Sequence, residues 1–154
     1  MIAMDRERDT IVSNTDLAFS QWKTCVSMAD AVSSRRDNMN SLFVTVNLGL
    51  LAAVSFLWSP ETILLLLSGI IVCVLWIKLL ANYRALNAAK YVVIHNIEKQ
   101  LPFQAFKDEW EIIQNDKRYT PMTRLEKVLP IAFILIYVCS IIILAVGCKQ
   151  DVTV

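Results

Sequence analysis

Residues 41–80 read SLFVTVNLGLLAAVSFLW, then SPE, then TILLLLSGIIVCVLWIKLL, and across them only Glu61 and Lys78 carry charge. At 1.5 Å of rise per residue, an 18-residue helix over 41–58 covers roughly 27 Å, close to the ~30 Å of a bilayer's hydrocarbon core. Ser59-Pro60-Glu61 is a tight turn, and proline fits the first turn of the helix that follows, where no backbone donor is lost. The second span is 62–80. A third apolar block, VLPIAFILIYVCSIIILAVG, occupies 128–147, with Pro130 expected harmlessly in its first turn.

The rest of the composition agrees with this reading. Of 154 residues, 56% are hydrophobic and 19% charged. Ordinary soluble domains hold roughly 45–50% apolar residues, and a chain this short could not hide the excess from water. A net charge of +1 argues against a nucleic-acid binder, whose footprint is a dense basic patch. Cys25, Cys73, Cys139 and Cys148 show no CxxC spacing and read as small apolar filler. One histidine, His95, makes a zinc site of His and Cys unattractive, and it reads as a packing residue. No P-loop, no HExxH and no carboxylate–His–nucleophile grouping is present, so no catalytic, cofactor-binding or metal residue is assigned and no cofactor is expected.

Working outward from the spans, residues 1–14 (MIAMDRERDTIVSN) are polar and expected to fray, and the first span should serve as an uncleaved insertion signal. Thr15 or Asp16 can cap a helix running nearly unbroken over 16–58. The second helix continues past 80 to Leu101, where Pro102 ends it. The fold class is therefore all-α, an integral membrane protein with three transmembrane helices. A long antiparallel hairpin is expected to extend into the cytoplasm, with arms of about 40 residues, roughly 60 Å. Its parts are a cytoplasmic stalk at 1–40, spans at 41–58 and 62–80, a cytoplasmic helical segment at 81–127, the third span at 128–147 and an external tail at 148–154. Within the cytoplasmic segment, 103–120 form an amphipathic helix. Phe103, Phe106, Trp110 and Ile113 share one face, which packs against the stalks or lies on the membrane surface, the acidic opposite face favouring packing; the same face is the candidate for a soluble partner, and Pro121 closes the element.

Five Lys and Arg fall in 1–40 and eight in 83–127, none in the 59–61 turn and only Lys149 in the tail. The positive-inside rule places the N-terminus and the long loop in the cytoplasm and the C-terminus outside. Trp58 then marks the outer interface, and Trp76 and Tyr83 the inner one. Lys78 lies close enough to the inner face to snorkel.

The polar groups inside or beside the spans need partners. Asn47 sits about two turns into the membrane, where lipid cannot satisfy its amide, so it should face another helix. Asp30, Ser33, Asp37, Asn40, Val44 and Asn47 step by three and four, a polar seam. The second arm offers Asn82, Tyr83, Arg84, Asn87, Lys90, His95 and Glu98. Counted outward from the turn, Asp30 falls level with Lys90, Asp37 with Arg84, and Arg36 with Tyr83, which predicts Asp30–Lys90 and Asp37–Arg84 ion pairs. The interface candidates are thus Asp30, Arg36, Asp37, Asn40, Asn47, Arg84, Asn87, Lys90 and Glu98.

Trp22-Lys23-Thr24-Cys25-Val26-Ser27-Met28-Ala29-Asp30, Ser33-Ser34-Arg35-Arg36, Asn40 and Asn47 resemble the first helix of small bacterial membrane proteins of the RipA type. Trp76, Tyr83-Arg84-Ala85-Leu86-Asn87-Ala88-Ala89-Lys90-Tyr91, Ile94, Ile97-Glu98, Leu101-Pro102, Phe106 and Glu109-Trp110 look like that family's second helix and the segment after it. The resemblance covers about 22–110, and the third span agrees in kind. It implies a bacterial inner-membrane protein that assembles as an octamer. Relatives of similar build among antiviral defence components imply a pore-like effector.

Function follows in two versions. The first is a homo-oligomeric inner-membrane assembly, scaffold or pore, in which Asn47 and Asn40 are interhelical glue or, if it conducts, the polar lining. The second is a membrane anchor that recruits a soluble protein through its cytoplasmic helices, in a defence or stress setting. The expected partners are lipid, further copies of the chain and that soluble protein, with no nucleic acid. An enzyme is not expected.

Overall fold

The computed structural model describes residues 2–57, 59–116 and 122–150. Helix α1 spans Ile2–Phe56, a 3-10 turn covers Pro60–Thr62, α2 spans Ile63–Glu98, α3 spans Ala105–Asn115 and α4 spans Met122–Gln150. Among the described residues there is no strand. Three of the helices contain segments long and apolar enough to cross a membrane, within Asn14–Phe56, Ile63–Glu98 and Arg124–Gly147.

Several boundaries differ from the sequence reading. Helix α1 begins at Ile2 instead of near residue 16. Nothing before Gly49 is a glycine or proline, so once a helix is nucleated no residue stops it propagating toward the N-terminus. Helix α2 ends at Glu98, three residues short of Leu101. Its last turn tightens, with Gln100 N–H donating to the Ile97 carbonyl at 2.9 Å and Leu101 N–H to the Glu98 carbonyl at 3.0 Å. Pro102 disfavours helical backbone at the residue before it, so the winding stops early. Helix α3 starts at Ala105 rather than 103, and residues 117–121, including the expected end of this element, lie outside those described, as does Trp58. Helix α4 starts at Met122, so Pro130 lies inside it and not in its first turn. There it deprives the Glu126 carbonyl of its helical donor.

The chain divides into two compact units. One combines Met1–Ser34 with Tyr83–Tyr119, the other Arg35–Asn82 with Thr120–Val154. The second, called the span unit here, holds the apolar stretches of α1, α2 and α4. Its core joins Val54 of α1, Leu66, Cys73, Trp76 and Leu80 of α2, and Phe133 and Tyr137 of α4. The hairpin turn is closed by Thr62, whose hydroxyl donates to the Leu57 carbonyl and accepts from Ser59 N–H at 3.2 Å. Gly69 lets α2 and α4 meet: a Cβ there would stand 2.4 Å from the Tyr137 ring.

The first, called the stalk unit, packs α1 against α2 through Ala18, Ala29 and Val32 on one side and Ile94 and Glu98 on the other, all buried. Helix α3 is amphipathic and contributes Phe106, whose ring lies 5.7 Å from Trp22 and 6.0 Å, edge-on, from Tyr91. The other aromatic residues expected on its inner face sit less deeply: Phe103 is 84% exposed and Trp110 about half exposed.

Candidate functional site

With no metal-binding cluster among the described residues, the chemistry that stands out is a set of buried polar contacts, and each unit has its own. In the span unit the centre is Asn47, fully buried. Its amide nitrogen donates to the Phe43 carbonyl one turn back at 2.7 Å. Its amide oxygen accepts from the Cys73 thiol at 3.1 Å and from the Tyr137 hydroxyl at 2.9 Å. The Tyr137 hydroxyl also lies 3.3 Å from the Asn47 carbonyl, so its one proton is shared between two oxygens of the same residue. One asparagine thus ties α1 to α2 and α4. Hydrogen bonds between membrane helices average about 0.6 kcal/mol and reach about 1.7 kcal/mol, so this node contributes on the order of 1–2 kcal/mol.

Two turns before Asn47 on α1, Asn40 accepts from the Trp76 indole N–H at 2.9 Å. The Trp76 ring stacks on Phe43 at 5.5 Å and tilts against Phe133 at 6.4 Å. Trp76 is 1% exposed, so it does not face lipid headgroups as the sequence suggested. Its indole N–H found a side-chain acceptor inside the bundle, which removes the reason to seek the interface. Further along, Arg36 Nε lies 3.2 Å from Glu126 Oε1 and 3.9 Å from Asp37. The Arg36–Glu126 contact is close but not aligned as a hydrogen bond through Nε, and Glu126 Oε2 is buried without a partner.

In the stalk unit, Asn87 donates to the Ser33 hydroxyl at 3.3 Å, and Ser33 donates to the Ala29 carbonyl at 3.3 Å. Asn87 Oδ1 is buried and unpartnered. The larger node is Glu98, 1% exposed. Its Oε1 accepts from the Trp22 indole N–H at 3.3 Å and from the Phe106 backbone N–H at 3.0 Å. Gln104, at the N-cap of α3, makes no side-chain cap bond. Glu98 therefore supplies the cap from the end of the preceding helix, placing a carboxylate on one of the free donors of the α3 N-terminus. Its Oε2 is buried without a partner. Beside this node, α2 and α3 enclose an open cleft of about 660 Å³ whose lining includes Arg84, Tyr91, His95, Phe106, Glu109 and Trp110.

The contacts within each unit keep the register counted from the turn: Cys73 meets Asn47 and Trp76 meets Asn40 in one, Asn87 meets Ser33 and Glu98 meets Trp22 in the other. The charge pairing drawn from that register does not follow. Asp30 is exposed and makes no ion pair with Lys90, and Asp37 lies beside Arg36. The reason is angular. In the stalk unit the contact seam on α1 runs through Ala18, Ala29 and Val32, and Asp30, one residue past Ala29, is turned about 100° away. Tyr137, Cys73, Trp22 and Glu126 carry the networks from positions the sequence offered no reason to choose. A tyrosine in a third span and an asparagine in a first, each needing a partner in lipid, were the available hint.

The family model of the octameric membrane protein family (8xMP) matches residues 19–146. Among characterised proteins and solved structures, nothing matches the chain. The family match takes in the first two apolar blocks and all but the last residue of the third, Asn40 and Asn47 of α1, and both Cys73 and Tyr137, and it carries the octameric resemblance of 22–110 into α4. On that extent the chain belongs to the octameric membrane protein family (8xMP).

Proposed function

We propose that the protein is a non-catalytic, homo-octameric scaffold of the bacterial inner membrane rather than a pore. The supporting observation is where the polar atoms of the span unit go. Asn47 is fully buried and satisfied within one chain, and Asn40 is bonded to Trp76. The hydroxyls of Thr45, Ser55 and Ser140, on exposed residues or half-exposed in the case of Ser140, each donate to a carbonyl four residues back at 2.9 Å. A water-filled pathway needs lining groups with hydrogen-bonding capacity to spare. These hydroxyls have each committed their one proton to the backbone, and Lys78 can reach the headgroups. Ion flux through proteoliposomes holding the purified octamer tests the reading. The scaffold predicts flux no higher than in empty vesicles, and a steady conductance abolished by Asn47→Leu would overturn it.

In this reading the N-terminus and the 83–127 segment are cytoplasmic and the tail external, an orientation that the Lys and Arg distribution supports. A membrane-impermeant maleimide applied to spheroplasts should label Cys148 and spare Cys25. The cytoplasmic cleft between α2 and α3, with Phe103 protruding beside it, favours a second role as a platform for a soluble protein. Co-purification of such a protein, lost on Phe103→Ser together with Trp110→Ser, is the corresponding test.

A further inference from the structure

In the stalk unit the α1–α2 pair has two broad sides. Phe106 packs on Trp22 and Tyr91, so α3 covers one of them. The opposite side is bare. On α1, Leu17 and Met28 are three turns apart on one face, each flanking a seam residue, Ala18 or Ala29, on the side away from Trp22. On α2, Leu86 and Val93 are two turns apart and flank Asn87 and Ile94 on the side away from Tyr91. All four are about half exposed or more. Lipid cannot cover them if this charged unit stands in water, and an apolar patch bounded by polar residues marks an interaction surface.

The outer face of α3 is its complement. Ile112 there is 72% exposed, and Asp108, one turn earlier, shares its face. Helix α3 returns alongside α2: Phe106 sits by Tyr91, and the cleft that Ile113 lines reaches Arg84. Asp108 therefore falls at about the height of Lys90, and Ile112 at about that of Leu86. The bare side carries Lys90 at its margin and no carboxylate on its Leu17–Met28 or Leu86–Val93 rows. Copies in one membrane share an orientation, so neighbours in a ring meet at equal heights through two different surfaces.

We propose that the bare α1–α2 side of the stalk unit receives the outer face of α3 from an adjacent copy, with Ile112 against Leu86, Asp108 opposite Lys90, and Ala105, at the start of that face, level with Met28 and Val93. This rests on the octameric reading above and assigns its interface. The test is native mass measurement of the detergent-solubilised full chain. Wild type should be octameric, and Met28→Asp combined with Val93→Asp should lower the octamer fraction at least tenfold. Its protomer should stay folded, with Cys73 still protected from thiol reagents. A wild type that is not octameric would sink the assembly reading itself. An octameric wild type with an equally octameric double variant would overturn only this interface. Independently, membranes from cells co-expressing Leu86→Cys and Ile112→Cys copies, each lacking Cys25, Cys139 and Cys148, should on treatment with a copper–phenanthroline oxidant give disulfide-linked dimers that neither copy gives alone. Dimers from Leu86→Cys alone, or none from the mixture, would overturn the proposal.

Discussion

The two units solve the same problem with opposite chemistry. In the span unit a neutral amide, Asn47, joins three helices, and both its nitrogen and its oxygen are bonded. In the stalk unit a carboxylate, Glu98, joins three helices through one oxygen and leaves the other buried and unpartnered. An ionised group inside a bilayer is expensive even when paired, whereas a neutral amide can both donate to and accept from its neighbours without carrying a charge. A carboxylate brings a stronger bond to a helix N-terminus than an amide would. The comparison teaches that the joint's task, tying three helices together, stays the same while its chemistry changes.

Substitutions can break that comparison, and their effects should fall in order. The largest belongs to Gly69→Leu, which drives side-chain atoms into the Tyr137 ring. Overpacking costs about 1–3 kcal/mol and occasionally more, and thermal melting in detergent should show a drop beyond every other variant here. Next is Glu98→Ala, which removes a charge-assisted cap and strands the Trp22 indole, at about 1.5–3 kcal/mol. Hydrogen exchange should rise over 105–115 and remain unchanged over 128–147. Asn47→Leu follows at about 1–2 kcal/mol. Its signature is the reverse, with a lower melting temperature, Cys73 newly open to thiol reagents and α3 exchange untouched. If Asn47→Leu loosened α3, or Glu98→Ala exposed Cys73, the two joints would not be independent. The smallest effect is that of Asp30→Asn, an exposed carboxylate without an ion-pair partner, within about 0.5 kcal/mol by chemical melting.

Much of this could be read from the residues alone. The three apolar blocks, the turn at Pro60 and the pairing register of the hairpin were all legible, because hydropathy and a short loop leave one way to fold back. Asn47 announced itself as a polar group that needed a partner. What could not be read was the partner. Register fixes height along a helix but not rotation about it, and the rotation of α1 took Asp30 off the seam and put Ala29 on it. Tyr137 was illegible for a similar reason: α4 is joined through a long connection, so nothing local sets which of its faces meets the hairpin. Glu98 was named among the interface candidates, but its role as a cap depended on how α3 turns back after Pro102. Pro130 falls inside α4 because the helix begins at Met122, ahead of the apolar block whose hydropathy marks the span.

The seat that Gly69 leaves for the Tyr137 ring also carries a message about biogenesis. Alone, α4 would be a greasy rod with no preferred rotation in the bilayer. Its azimuth is set by a notch in α2 and an acceptor on α1, both of which leave the ribosome earlier. Synthesis from the N-terminus thus delivers the lock before the key, and α4 arrives where its docking geometry already exists.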